Sequence, residues 1–181
     1  MRILIAYASK NGTVEKCVAR LCEQLRGMEI DAVNLEKGFA DPSNYDMVVF
    51  GSSVYFGRLR RVARSFLKNH ESVLLKKPLA LFLCCGLTEE SEYYLEKLFP
   101  QSLREAAFQI LYFGGSLSTE GLSFLDRLLV RSIRSSLYEA NLDNGDYIAP
   151  SLPGILPENI DRLATYLRKE ACRLNNQTQK R

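Results

Sequence analysis

Residues 1–25 read Met1-Arg2-Ile3-Leu4-Ile5-Ala6-Tyr7-Ala8-Ser9-Lys10-Asn11-Gly12-Thr13-Val14-Glu15-Lys16-Cys17-Val18-Ala19-Arg20-Leu21-Cys22-Glu23-Gln24-Leu25, and this stretch decides the fold. Ile3, Leu4, Ile5 and Ala6 form an apolar run too short for a helix and rich enough in Ile and Leu for a buried strand. Val14, Val18, Leu21 and Leu25 recur at spacings of four, three and four, one face of an amphipathic helix. A polar turn lies between them. Strand, turn and helix together aim the turn's backbone N–H groups and the positive end of the helix dipole at one place, which suits an anion and above all a phosphate. The candidate ligands are Ser9, Lys10, Asn11, Gly12, Thr13 and Val14, with hydroxyls at Ser9 and Thr13, an amide at Asn11, and Gly12 letting the backbone come close. With one glycine the turn matches neither the Walker-type loop nor the three-glycine dinucleotide fingerprint, so a single phosphate monoester is the natural guest. An ordinary helix-capping turn accounts for the same residues and stands beside that reading.

Working outward, the 181 residues suit one domain, taken as 1–175, with 176–181 as a loose polar tail. Charged residues at 25% and apolar ones at 46% exclude a disordered chain. No apolar run approaches the roughly 20 residues a membrane-spanning helix needs. The N-terminus enters the first strand without a signal-peptide pattern, and five cysteines without framework or metal spacing fit a reducing cytoplasm. His70 is the one histidine, which excludes a histidine-rich metal site; no metal and no nucleic-acid partner is expected.

Strands and helices then alternate. Residues 30–35 read as a second strand and 47–50 as a third, continuously apolar one. A helix follows to about His70, then a fourth strand over 79–85, a helix over 89–99 closed by Pro100, and a fifth strand over 107–113. A long helix over 122–137, an irregular 141–157 and a last helix through Ile160, Leu163, Leu167, Ala171 and Leu174 complete the chain. Such alternation predicts a parallel sheet buried on both faces, with ligands beyond the carboxyl ends of the strands. At those ends stand the phosphate-suited turn, then Ser53-Val54-Tyr55-Phe56-Gly57, then Cys84-Cys85-Gly86-Leu87. A polar turn beside two turns with aromatic or small apolar groups matches a ligand with a phosphate at one end and a flat ring system at the other. Adjacent Cys84 and Cys85 read as packing thiols, because neighbours on a strand point to opposite faces.

These residues resemble the flavodoxin superfamily. The run from Tyr7 to Glu15 is similar to its phosphate loop, although the family usually closes that loop on a threonine where Val14 stands. The run from Val49 to Gly57 resembles the first flavin-flanking loop, and Leu83-Cys84-Cys85-Gly86-Leu87 sits where the second lies. The resemblance implies a three-layer α/β sandwich with a five-stranded parallel sheet in the order 2-1-3-4-5, and FMN as cofactor. It implies phosphate contacts from the first turn and ring contacts from Ser53, Val54, Tyr55, Phe56, Gly57, Cys85, Gly86 and Leu87. Tyr55 and Phe56 are the residues expected to stack on or edge the ring.

The segment 51–70 looks most like the menaquinone-dependent protoporphyrinogen dehydrogenases. That likeness implies an oxidoreductase of haem biosynthesis, passing reducing equivalents from an anionic tetrapyrrole through FMN to a quinone or another acceptor. Arg58, Arg60 and Arg61, with Arg64 behind them, would meet the substrate's carboxylates, unless they form an ordinary solvated face. No catalytic acid or base stands out. In 122–137, Leu122, Leu125, Leu129, Ile133 and Leu137 face away from Arg127, Arg131 and Arg134. This helix reads first as a cover for the sheet, with peripheral contact at the inner face of an anionic membrane left open. Two other functions stay in view: an electron carrier with a redox protein partner, and a cofactor-free binding domain on the same fold. A phosphorylatable receiver is disfavoured, because no acidic pair follows the first strand and no aspartate ends the third.

Overall fold

Both faces of the central strands are apolar, so the sheet has to be covered twice. In the computed structural model, which describes residues 1–10, 12–55, 57–85, 91–115 and 154–178, that is the arrangement found. Strands β1 (Arg2–Ala8), β2 (Glu29–Asn34), β3 (Met47–Tyr55), β5 (Leu79–Cys84) and β6 (Ala107–Tyr112) pair in parallel in the order β2-β1-β3-β5-β6. A short β4 (Arg58–Leu59) runs antiparallel to the tip of β3. With β4 set aside, this is the expected 2-1-3-4-5 order.

The period-two alternation of a strand sorts the core into two halves. Ile3 and Ile5 point to one face, where α1 (Thr13–Gln24) lays down Val14, Cys17, Val18 and Leu21. The last helix, α5 (Pro157–Thr178), adds Ile160, Leu163 and Leu167 to that same half. Leu4, Ala6 and Ala8 point to the other face, covered by Ala63, Phe66, Leu67 and Leu74 of α2 (Arg61–Leu74). Phe99 joins them there, as does Leu103 from the short α4 (Gln101–Ala106) that follows α3 (Ser91–Leu98). Each such side chain taken out of water contributes roughly 1.5–3 kcal/mol, which is why β1, apolar on both faces, sits mid-sheet.

Several expectations are corrected. β3 does not stop at Phe50 but runs to Tyr55, because Ser53 pairs with Cys84 and the tip pairs with β4. The stretch 53–55, expected as a loop, is therefore strand. Pro100 closes one helix and also opens another: it caps α4, where its fixed φ and missing N–H cost nothing. α2 continues beyond His70 to Leu74, whose side chain is fully buried. α5 reaches Thr178, into the stretch expected to be a loose tail. The helix expected over 122–137, and nearly all of the irregular 141–157, lie outside the described residues. Among those described, no helix is long and apolar enough to cross a membrane.

Candidate functional site

Strand register builds the site. Pairing sets Ala8 of β1 beside Ser52 of β3, and Ser53 of β3 beside Cys84 of β5. β1 and β5 end within one residue of each other and β3 runs on between them to Tyr55, so the turns that leave the three strands share one edge of the sheet.

At the first turn Gly12 adopts φ 82, a conformation in which a side chain is strained, and it starts α1 with no side-chain cap among the described residues. Its carbonyl accepts from the Lys16 N–H at 2.9 Å, so the helix is under way while the first-turn N–H groups stay at its positive end. Ser9 is buried, Thr13 half-buried and Lys10 exposed. Val14 turns its side chain into the core at 1% exposure and offers the turn only its backbone. Donors without a capping side chain, around a position that carries no Cβ, fit a phosphate.

The turn is braced from β2. The buried Asn34 side chain accepts from Ser9 N–H at 3.4 Å and from Glu36 N–H at 3.1 Å. It donates to the Ser9 carbonyl at 3.1 Å and to Glu15 Oε1 at 2.9 Å. Lys37 Nζ holds the same Glu15 oxygen at 2.9 Å. Those bonds, the one from Lys37 first, keep the Glu15 carboxyl below its usual range, and the Lys37 ammonium is raised in turn.

The second turn is a β-hairpin. Val54 pairs with Leu59 and Tyr55 with Arg58, with Gly57 at φ 68 in the turn between. Tyr94 of α3 approaches from the other side, 3.8 Å from where a Cβ on Gly57 would stand. Arg60, grouped by spacing with Arg58 and Arg61 as a substrate contact, is placed otherwise. Its guanidinium lies over the Tyr55 ring at 5.3 Å and pairs with Glu36 at 2.7 Å. Both of those side chains are mostly buried, so Arg60 fixes the aromatic instead of reaching into solvent. Arg58, Arg61 and Arg64 are exposed and make no ion pair with another described residue.

At the third strand end the Cys85 N–H donates to the Gly114 carbonyl at 3.0 Å, and its carbonyl accepts from the Tyr112 hydroxyl. Burial pushes the Tyr112 phenol well up, so it remains a donor there. Cys84 points into the α1 side of the core, its sulfur 3.8 Å from that of Cys17. Asn11, Phe56, Gly86 and Leu87, all expected at the site, lie outside the described residues. The structure thus brings Ser9, Lys10, Gly12, Thr13, Ser53, Val54, Tyr55, Gly57 and Cys85 to one edge. It adds three residues the sequence reading passed over: Asn34, Glu36 and Tyr94. Only Asn34 carried a local signal, a lone amide ending an otherwise ordinary strand.

The comparisons with known proteins agree with this fold. A family model described as a flavodoxin domain matches residues 4–142. Over 86 residues the chain is 28% identical to protoporphyrinogen IX dehydrogenase [quinone] of Escherichia coli strain K12, covering 45% of this chain and 47% of that protein. The match thus spans about half the length of the curated relatives. Fusobacterium nucleatum flavodoxin bound to flavin mononucleotide superposes with a TM-score of 0.50 at 14% identity, over 93% of this chain and 98% of that one. Rubredoxin oxygen:oxidoreductase from Desulfovibrio gigas gives 0.51 at 14% identity, over 91% of this chain and 36% of that one. At these identities the structural likeness is one of fold.

Proposed function

The chain belongs to the flavodoxin domain family, and from that premise we propose that it is an FMN-dependent oxidoreductase acting on an anionic reduced tetrapyrrole of the protoporphyrinogen type, with a quinone or similar acceptor. The observation that carries the proposal is the shared edge itself. A helix start at Gly12 with no side-chain cap among the described residues, an aromatic hairpin at Tyr55, and exposed arginines at 58 and 61 that make no ion pair with another described residue all come from the ends of adjoining elements.

In this reading the backbone of 12–14, with the Thr13 hydroxyl and Lys10, holds the phosphate. Tyr55, Gly57 and Cys85 border the ring system. When bound, FMN supplies the two-electron chemistry. The chain's own side chains orient and attract. Arg60 and Glu36 fix Tyr55 through its ring face and so limit water at the hairpin. Arg58 and Arg61 draw carboxylates to the edge, because a guanidinium can take a carboxylate with two parallel hydrogen bonds.

Two measurements test this in order. Added FMN should lose fluorescence on binding, and the loaded protein should oxidise protoporphyrinogen with a soluble menaquinone analogue faster than free FMN does. FMN uptake without porphyrinogen turnover would favour the electron carrier; no uptake of FMN would leave a cofactor-free binding domain.

A further inference from the structure

We propose that Asn34, acting with Lys37, is the positioning residue that makes this site prefer a phosphorylated flavin to an unphosphorylated one. The inference rests on the FMN reading and adds a specificity device to it. A side-chain amide has two N–H donors and an oxygen able to accept two bonds, and in Asn34 all are used. Two of the four go to Ser9, one residue past the end of β1, fixing both its N–H and its carbonyl. The residue is 8% exposed and its two bonds to Ser9 are buried, where losing one costs most.

The fourth bond concerns charge. Glu15 lies in the first turn of α1, where a carboxylate competes with any anion for the helix's positive end. Its Oε2 comes 3.7 Å from the position of a Cβ on Gly12, at the mouth of the turn. Its Oε1 is held at 2.9 Å by Asn34 and at 2.9 Å by Lys37, on the β2 side. The amide and the ammonium together anchor the carboxylate by Oε1 and offset its charge at the turn. A phosphate gains from this; a ribityl hydroxyl does not.

The test titrates FMN and riboflavin separately into apoprotein by flavin fluorescence, with the apoprotein's thermal midpoint followed in parallel. The wild type should bind FMN more tightly than riboflavin. Asn34→Ala should weaken FMN about tenfold, the factor that ~1.4 kcal/mol gives, and leave riboflavin unchanged. Should that variant fold poorly, the exposed pair provides an independent arm: Lys37→Met should weaken FMN several-fold, and Glu15→Gln added to it should restore the affinity. Equal losses for both flavins, or no restoration in the double variant, would overturn the inference while the FMN reading stands. A wild type that binds neither flavin would overturn both.

Discussion

Gly51 lies in the middle of β3 with the Phe82 ring directly against it, and a Cβ there would come within 1.9 Å of the ring's Cζ. That ring is also stacked on Phe113 at 4.4 Å, inside the packed half of the core under α1 and α5. Overpacking of this kind displaces side chains from their rotamers, so Gly51→Ala should cost about 3 kcal/mol, read as a lower urea midpoint at unchanged slope. Thiol chemistry gives a second check at this scale. Cys172 is exposed and Cys22 half-buried, whereas Cys17, Cys84 and Cys85 are buried. The contact with Cys17 and burial both push the Cys84 thiol up, away from its reactive form. A disulfide reagent should therefore label Cys172 promptly, Cys22 more slowly, and the other three only on unfolding. Two rapidly labelled thiols at 84 and 85 would mean that the strand end is open. Strand alternation placed one of Cys84 and Cys85 in the core without saying which; the partner of Cys84, 67 positions away, left no local trace.

Among elements, the link between α1 and the turn after β2 has a pH signature. Glu15 titrates below its ordinary 4.5 in the folded protein because Lys37 and Asn34 bond to its ionised form. The stabilisation is complete above that ordinary value and is lost as pH falls through the lower, folded one. The thermal midpoint should accordingly fall at acid pH, and Glu15→Gln should flatten that limb of the curve. The β3–β4 hairpin makes a different prediction. Arg58→Glu with Arg61→Glu should raise KM for an anionic substrate at least tenfold and leave FMN binding unchanged, since neither arginine belongs to the phosphate turn. Arg60→Ala should instead alter the flavin's absorbance envelope, by releasing Tyr55. Strand and helix order was legible in the apolar periods of residues 3–6, 47–50 and 79–84 together with the turns between them. The length of β3 was not, because Gly51-Ser52-Ser53 has loop chemistry and is held extended by partners on both sides. Nor was Arg60's place legible: its carboxylate lies 24 residues upstream, in the turn after β2.

At the scale of the whole molecule, the three layers depend on α5 returning to cover the face that α1 covers in part. Ile160, Leu163 and Leu167 are fully buried there, and Arg20 reaches Asp161 across the helix pair at 2.8 Å. A chain ending at Leu156 should lose cooperative thermal unfolding, whereas Asp161→Asn should keep it, since apolar burial and not the exposed ion pair carries the contact. The turn after β1 could be read from one strand and one helix. The rest of the edge could not, because it exists only once β3 lies beside that strand and β5 beside β3. The same strand order governs how the protein is made. β1 leaves the ribosome before the strands it pairs with yet lies inside the sheet, with β2 along one side and β3 along the other. Until Val49 has emerged, a nascent chain holds one flank of Ile3-Leu4-Ile5 bare, an invitation to aggregation.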